Sequence, residues 1–135
     1  MGLQDTFKSI ANGSCLALCL AKLVEPEGTR DSQLMQDVIM GWRKSYIEDD
    51  GYVRNPEDYM MLIDTYHRKW HYKKVSVEGL EDIPEGKTVV ALYSINGKDG
   101  HFVLATNKGI VWNSLEYSNN VSNGCLIGYR EVWHD

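Results

Sequence analysis

The chain of 135 residues carries 14 Lys and Arg against 19 Asp and Glu, a formal net charge of −5, with 43% hydrophobic and 24% charged residues. This is ordinary globular composition at the length of one domain, about 100–150 residues, which excludes a disordered tail, a collagen-like repeat and a coiled coil. The acidic balance works against general affinity for nucleic acid or anionic membranes, since both depend on an excess of Lys and Arg.

Cys15, Cys19 and Cys125 cannot all pair within one chain, and they form no dense disulfide framework. Thiols in a reducing, cytoplasmic setting are expected. The longest apolar stretch, residues 10–24, is broken by Asn12, Gly13, Ser14 and Lys22 and is shorter than the roughly 20 residues of a membrane span. The residues before it set Asp5 against Lys8, unlike the basic start of a signal peptide.

The first helix is expected to start at Ser14 or Cys15, after the cap chemistry of Asn12-Gly13-Ser14, and to continue through Leu16 to Val24 until Pro26 stops it. A second is expected from Leu34, Val38, Trp42 and Tyr46 at spacing four, joined by Met35 and Ile39 after Asp31 and Ser32, and closed by Asp49-Asp50-Gly51. Asn55-Pro56-Glu57-Asp58 reads as a third helix start, with proline in the first turn and acids at the positive helix end, running to about His67. Beyond it, residues 72–77, 88–95, 101–107, 109–113 and 126–132 are short, rich in Val, Ile, Tyr and Trp, and separated by Gly and Asn turns. Helices first and strands afterwards predict an α+β fold in a single domain over residues 1–135, with amino-terminal helices packed on a carboxy-terminal antiparallel sheet.

A cysteine at a helix N-terminus is chemically special, because the unpaired N–H groups and the helix dipole favour the thiolate that attacks carbonyl carbon. Such a thiol needs a base. His101, which follows Gly100 and opens the strand Phe102-Val103-Leu104-Ala105, is the candidate, whereas His67 and His71 lie in a cationic stretch and His134 at the tail. Asn113 is the candidate to hold the imidazole. If Asn107-Lys108-Gly109 forms a three-residue hairpin loop, Val103 faces Asn113 and His101 faces Leu115, which puts His101 and Asn113 on one sheet face within side-chain reach. A two-residue Lys108-Gly109 loop instead sends Asn113 to the opposite face. Burial in a core is the competing reading for Cys15 and Cys19, since cysteine is among the most buried residue types.

The segment Cys15-Leu16-Ala17-Leu18-Cys19-Leu20-Ala21, then Gly100-His101-Phe102-Val103-Leu104, then Val111-Trp112-Asn113-Ser114, resembles papain-like cysteine peptidases. The bacteriocin-processing peptidase domain is the most similar pattern, and Tyr117-Ser118-Asn119-Asn120-Val121 resembles small papain-like proteins of spirochaetes and bacteriophages. The resemblance implies Cys15 as nucleophile, His101 as base and Asn113 as orienting residue, with Cys19 at a helix-packing position and no cofactor. Leu16 stands where the family usually has Gly, and Asn113-Ser114 where it has Asp-Pro. Ser9 stands where the oxyanion glutamine is expected, leaving Asn12, or Gln4 folded back, to supply an amide donor.

The chemistry so implied is hydrolysis of a peptide or amide bond through a thioester, with a peptide or protein as substrate; a cell-wall amidase is the variant within it. The alternative keeps the fold without the chemistry, as a protein-binding module of bacterial or phage origin. Trp42, Trp112 and Tyr93 are candidate groove residues, with core packing the simpler reading. His67 and His71, with Asp64 a turn earlier, form a weak metal pattern. Arg68, Lys69, Lys73 and Lys74, interleaved with Trp70 and Tyr72, form a weak nucleic-acid pattern against the stronger reading of a solvated face. Neither a metal nor nucleic acid is expected.

Overall fold

The computed structural model describes residues 3–77, 79–97, 100–115 and 119–135. The element order is α1 (Leu3–Gly13), α2 (Cys15–Val24), α3 (Asp31–Arg43), α4 (Pro56–Ile63), β1 (Trp70–Ser76), a 3-10 turn (Leu80–Asp82), β2 (Val89–Ser94), β3 (His101–Thr106), β4 (Gly109–Trp112), α5 (Asn119–Asn123) and β5 (Cys125–His134). Helices therefore lie at the amino-terminal side and a five-stranded antiparallel sheet at the carboxy-terminal side, an α+β arrangement. Two compact units divide the chain: Met1–Trp70 with His134–Asp135, and His71–Trp133. Among the described residues, no helix is long and apolar enough to cross a membrane.

The first unit is organised by helical stripes. Ala17, Leu20, Ala21 and Val24 of α2 are buried at three- and four-residue spacing, as are Leu34, Val38 and Gly41 of α3. Tyr59, Met60 and Ile63 of α4 complete the core, and the Tyr59 hydroxyl donates to the Ala17 carbonyl at 3.2 Å. Asp37 is buried on the same face of α3.

Two whole helices, α1 and α5, and the ends of α3 and α4 depart from the sequence reading. Helix α1 was not anticipated, although Leu3, Phe7 and Ile10 recur at helical spacing. Helix α3 stops at Arg43 because Ser45 takes a left-handed φ of 65°. Ser45 N–H then donates to the Trp42 carbonyl and Tyr46 N–H to the Gly41 carbonyl, the paired bonds of a Schellman motif. Helix α4 ends at Ile63 rather than near His67, because the Asp64 carboxylate accepts the backbone N–H groups of Tyr66 at 3.0 Å and Arg68 at 3.2 Å, which turns the chain away.

The second unit holds most of the sheet, whose strand order is β1-β5-β2-β3-β4. Central β2 pairs antiparallel with β3, Ala91 opposite Val103 and Tyr93 opposite His101, and with β5 on its other side. Period-two alternation puts Val89, Ala91, Val103 and Ala105 on one face, in a core with Ile83, Leu126 and Tyr129. His101 is two residues from Val103 and so belongs to that face.

Candidate active site

In the helical unit, Cys15 is the first residue of α2 and Ser14 is its N-cap, so the helix starts where the sequence reading places it. The Ser14 carbonyl accepts the first intrahelical bond, from Leu18 N–H at 2.8 Å, and Ser14 is fully buried. The junction is held from outside by two glycines. A β-carbon on Gly13 would collide with the Asp50 carbonyl, and one on Gly51, whose φ is +91°, would strike the Gly13 backbone. Backbone thus meets backbone immediately before Ser14 and Cys15, a close approach that only glycine permits.

Cys15 is half-buried, Cys19 buried and Cys125 exposed, and all three carry thiols rather than a disulfide. Burial, reinforced by neighbouring Cys15, pushes the Cys19 thiol up from its ordinary value, which makes Cys19 an inert packing residue. The Asn12 and Gln4 side chains lie outside the described residues. Helix α1 runs unbroken from Leu3 to Gly13, so at about 1.5 Å per residue the Gln4 backbone lies roughly 13 Å along the axis from Gly13 and is not folded back. Ser9 occupies the same helix.

In the sheet unit, His101 and Asn113 are brought together: His101 Nε2 lies 2.6 Å from Asn113 Oδ1. The Leu115 backbone N–H donates to that same oxygen at 3.0 Å, which identifies it as the acceptor end of the amide. The imidazole therefore donates from Nε2, and in the neutral ring Nδ1 carries the lone pair that can take a proton. His101 is only 5% exposed, so its orientation is fixed by packing as well as by this bond.

The register behind this contact arises differently from the sequence expectation. Thr106 pairs with Gly109 and Ala105 with Ile110, so the loop is the two-residue Asn107-Lys108. A bulge between Leu104 and Ala105 then shifts the pairing, and Leu104 faces Trp112. Continued by one residue, that register sets Val103 opposite Asn113, the pairing that the three-residue loop had predicted. Gly109, with φ +138°, supplies the conformation the hairpin needs. On the other side of His101, a β-carbon at Gly100 would come within 2.7 Å of the Tyr93 carbonyl, which explains glycine before this histidine.

The remaining candidates separate. Tyr93, Trp112 and Trp42 are half-buried. Tyr93 is the cross-strand partner of His101, and burial raises its phenol. Trp42 Nε1 donates to Asp49 at 2.8 Å on a cavity of about 780 Å³ also lined by Arg43, Glu48 and Arg54. His67 and His71 share no helix face, because α4 ends before both; His67 Nδ1 lies 3.1 Å from the Met61 carbonyl and His71 stacks on Trp133. Among the described residues no three His, Cys, Asp or Glu side chains are placed to hold a metal. Of the cationic stretch, Arg68 is engaged by Asp64 at 2.8 Å.

Two buried acids were missed by the sequence reading. Asp64 accepts from Arg68, from Trp70 Nε1 at 2.9 Å and from two backbone N–H groups. Burial alone would raise its carboxyl, but these donors outweigh burial and hold it well below the usual carboxylate range. Asp37 is the opposite case, pushed up to about 7 by burial, then by the neighbouring Glu25 carboxyl, against a lowering bond from Gln33. Its sequence signal is an acid one residue before Val38 on the apolar stripe of α3.

No protein-family model, no curated protein and no solved structure matches this chain.

Proposed function

We propose that this chain is a papain-like cysteine hydrolase, a peptidase or amidase, with Cys15 as nucleophile, His101 as general base and acid, and Asn113 as the residue that positions His101. The observation that carries the reading is the 2.6 Å bond from His101 Nε2 to Asn113 Oδ1, because it fixes the tautomer a thiol-activating histidine requires. The placement of Cys15 at the start of a ten-residue helix adds support, since that setting favours a thiolate.

In this reading His101 Nδ1 takes the Cys15 thiol proton and Sγ bonds to the substrate carbonyl carbon. As the tetrahedral intermediate collapses the C–N bond breaks, and His101 returns the proton to the leaving amine. Water then attacks the thioester, losing its proton to His101, and the C–S bond breaks to release a carboxylic acid and restore the enzyme. The substrate is a peptide or protein, with neither nucleic acid nor membrane as partner, and a reducing cytoplasmic setting suits the three thiols. Incubation with a mixed peptide library tests this: fragments made by the wild type and not by Cys15→Ala support hydrolysis, and identical mixtures from both count against it.

A second reading, a papain-like module that binds a protein without cleaving it, is favoured by Ser9 at the place of the oxyanion glutamine and by Leu16 after the nucleophile. Loss of one oxyanion donor can cost about 10²–10³ in turnover.

A further inference from the structure

Asp37 lies inside the helical unit at 1% exposure, and its Oδ2 has no hydrogen-bond partner. Such a group is costly to leave unsatisfied. The nearby donors are engaged elsewhere. Gln33 Nε2 donates to the other oxygen, Oδ1, at 3.1 Å. The Tyr59 hydroxyl, on α4, donates to the Ala17 carbonyl, and the Thr29 hydroxyl donates to the Pro26 carbonyl at 2.7 Å. Arg68, next to His67, is bound to Asp64.

The group that does approach Asp37 is another carboxyl, Glu25, the C-cap residue of α2. Both line a cavity of about 620 Å³ together with Gln33, Asp64 and His67. Two carboxylates in contact, one of them buried and neither in a salt bridge among the described residues, repel; one proton between them removes the repulsion and satisfies Oδ2 at once. A metal ion would do the same, but among the described residues no third ligand of the His, Cys, Asp or Glu type joins them.

We propose that Glu25 and Asp37 share a single proton, held by Asp37 Oδ2 and donated to the Glu25 carboxylate, and that this bond fastens the end of α2 to α3 as a pH-sensitive latch. The charged and titratable groups facing the pair are Tyr59 from α4, and Asp64 and His67 from the segment after it. Asp64 stays ionised with Arg68, and His67 Nδ1 is directed to the Met61 carbonyl. The latch is independent of the cysteine chemistry. An Asp that holds its proton in the folded state but not in the unfolded one stabilises the fold fully below about pH 3.9. That contribution disappears as the pH rises through the folded value, near neutrality.

The test is thermal unfolding of the whole chain from pH 5 to 9, with carboxyl-carbon NMR of Asp37 over the same range. The proposal expects an Asp37 midpoint near neutrality and a melting temperature that falls by roughly 5 °C or more from pH 5.5 to 8.5. Asp37→Asn, whose amide can donate to Glu25, is expected to be more stable than wild type at pH 8.5 and to lose most of the slope. Glu25→Gln, whose amide can donate to ionised Asp37, is expected to move the Asp37 midpoint down towards 4, a readout that survives if the first variant does not fold. Retention of the slope in both variants, with its loss in His67→Gln, would assign it to the imidazole and overturn the proposal. So would an Asp37 midpoint near 4 in the wild type, or stabilisation of the wild type at pH 8 by millimolar Ca²⁺ or Mg²⁺ that Asp37→Asn lacks.

Discussion

His101 and Asn113 are joined by a 2.6 Å bond from Nε2 to Oδ1, and the same oxygen is held by the Leu115 N–H. The amide oxygen is therefore held by two donors, which gives the imidazole one tautomer and one orientation. Asn113→Ala removes the anchor. If His101 activates Cys15, the rate of Cys15 alkylation at pH 6.5 is expected to drop roughly tenfold, a modest part of the 10²–10⁴ that a positioned base contributes. Asn113→Asp, which keeps an acceptor, is expected to retain most of it. Alkylation rates followed by peptide mass spectrometry check both.

Gly100 stands between the Tyr93 carbonyl and His101, and a β-carbon there would lie 2.7 Å from that oxygen. Gly100→Ala must push β3 away from β2 at the residue that carries the imidazole. The expected result is a loss of about 1–3 kcal/mol of stability, the usual cost of overpacking, and a shifted His101 resonance. Urea unfolding and histidine NMR provide the two readings.

Gly41 tests the helical unit in the same way. A helix-interior Gly→Ala change ordinarily stabilises by about 0.5–1 kcal/mol. Here the new methyl would lie 2.6 Å from Tyr59 Cδ1 and 2.8 Å from Ile47 Cδ1. Gly41→Ala is expected to reverse the sign and destabilise by about 1–3 kcal/mol, measurable by chemical denaturation.

Asp64 makes stability depend on acid. It is 2% exposed and bonded to Arg68 and to the buried Trp70 indole. Burial opposes its charge, but those donors hold its carboxyl below the unfolded value of about 3.9. Its contribution is therefore present above about pH 4 and lost as the pH falls through the depressed folded value. Asp64→Ala is expected to cost about 3 kcal/mol at pH 6, since it leaves Arg68 and the indole N–H without their acceptor. Together with the Glu25–Asp37 latch, whose contribution has the opposite sign, Asp64 puts the maximum of the stability these two acids contribute near pH 4.

How far the sequence could be read depended on whether the deciding interaction was local. The start of α2 at Cys15 was legible from the apolar run that follows Ser14, although the expected cap chemistry is not what sets it: Ser14 makes no side-chain cap bond, and Asn12 and Gly13 belong to α1. The strands were legible from β-branched and aromatic runs between turns. The ends of α3 and α4 were not. Ser45 adopts the left-handed conformation that sequence patterns assign to glycine, and Asp64 ends α4 by binding N–H groups two and four residues ahead. The pairing of His101 with Asn113 was anticipated from a three-residue loop, whereas a two-residue loop followed by a bulge produces it. Two local differences cancelled. The meeting of Glu25 with Asp37 is tertiary, and only the acid on an apolar stripe hinted at it.

The central claim is that Cys15 is a thiol activated by His101. Its most direct test is the rate of iodoacetamide labelling at each cysteine between pH 4 and 9, in wild type and in His101→Ala. The account expects Cys15 to react rapidly below pH 7, with buried Cys19 silent and the rapid phase lost in the variant. Slow Cys15 labelling with an ordinary midpoint near 8.5, unchanged by His101→Ala, would contradict it and leave the binding module as the better reading.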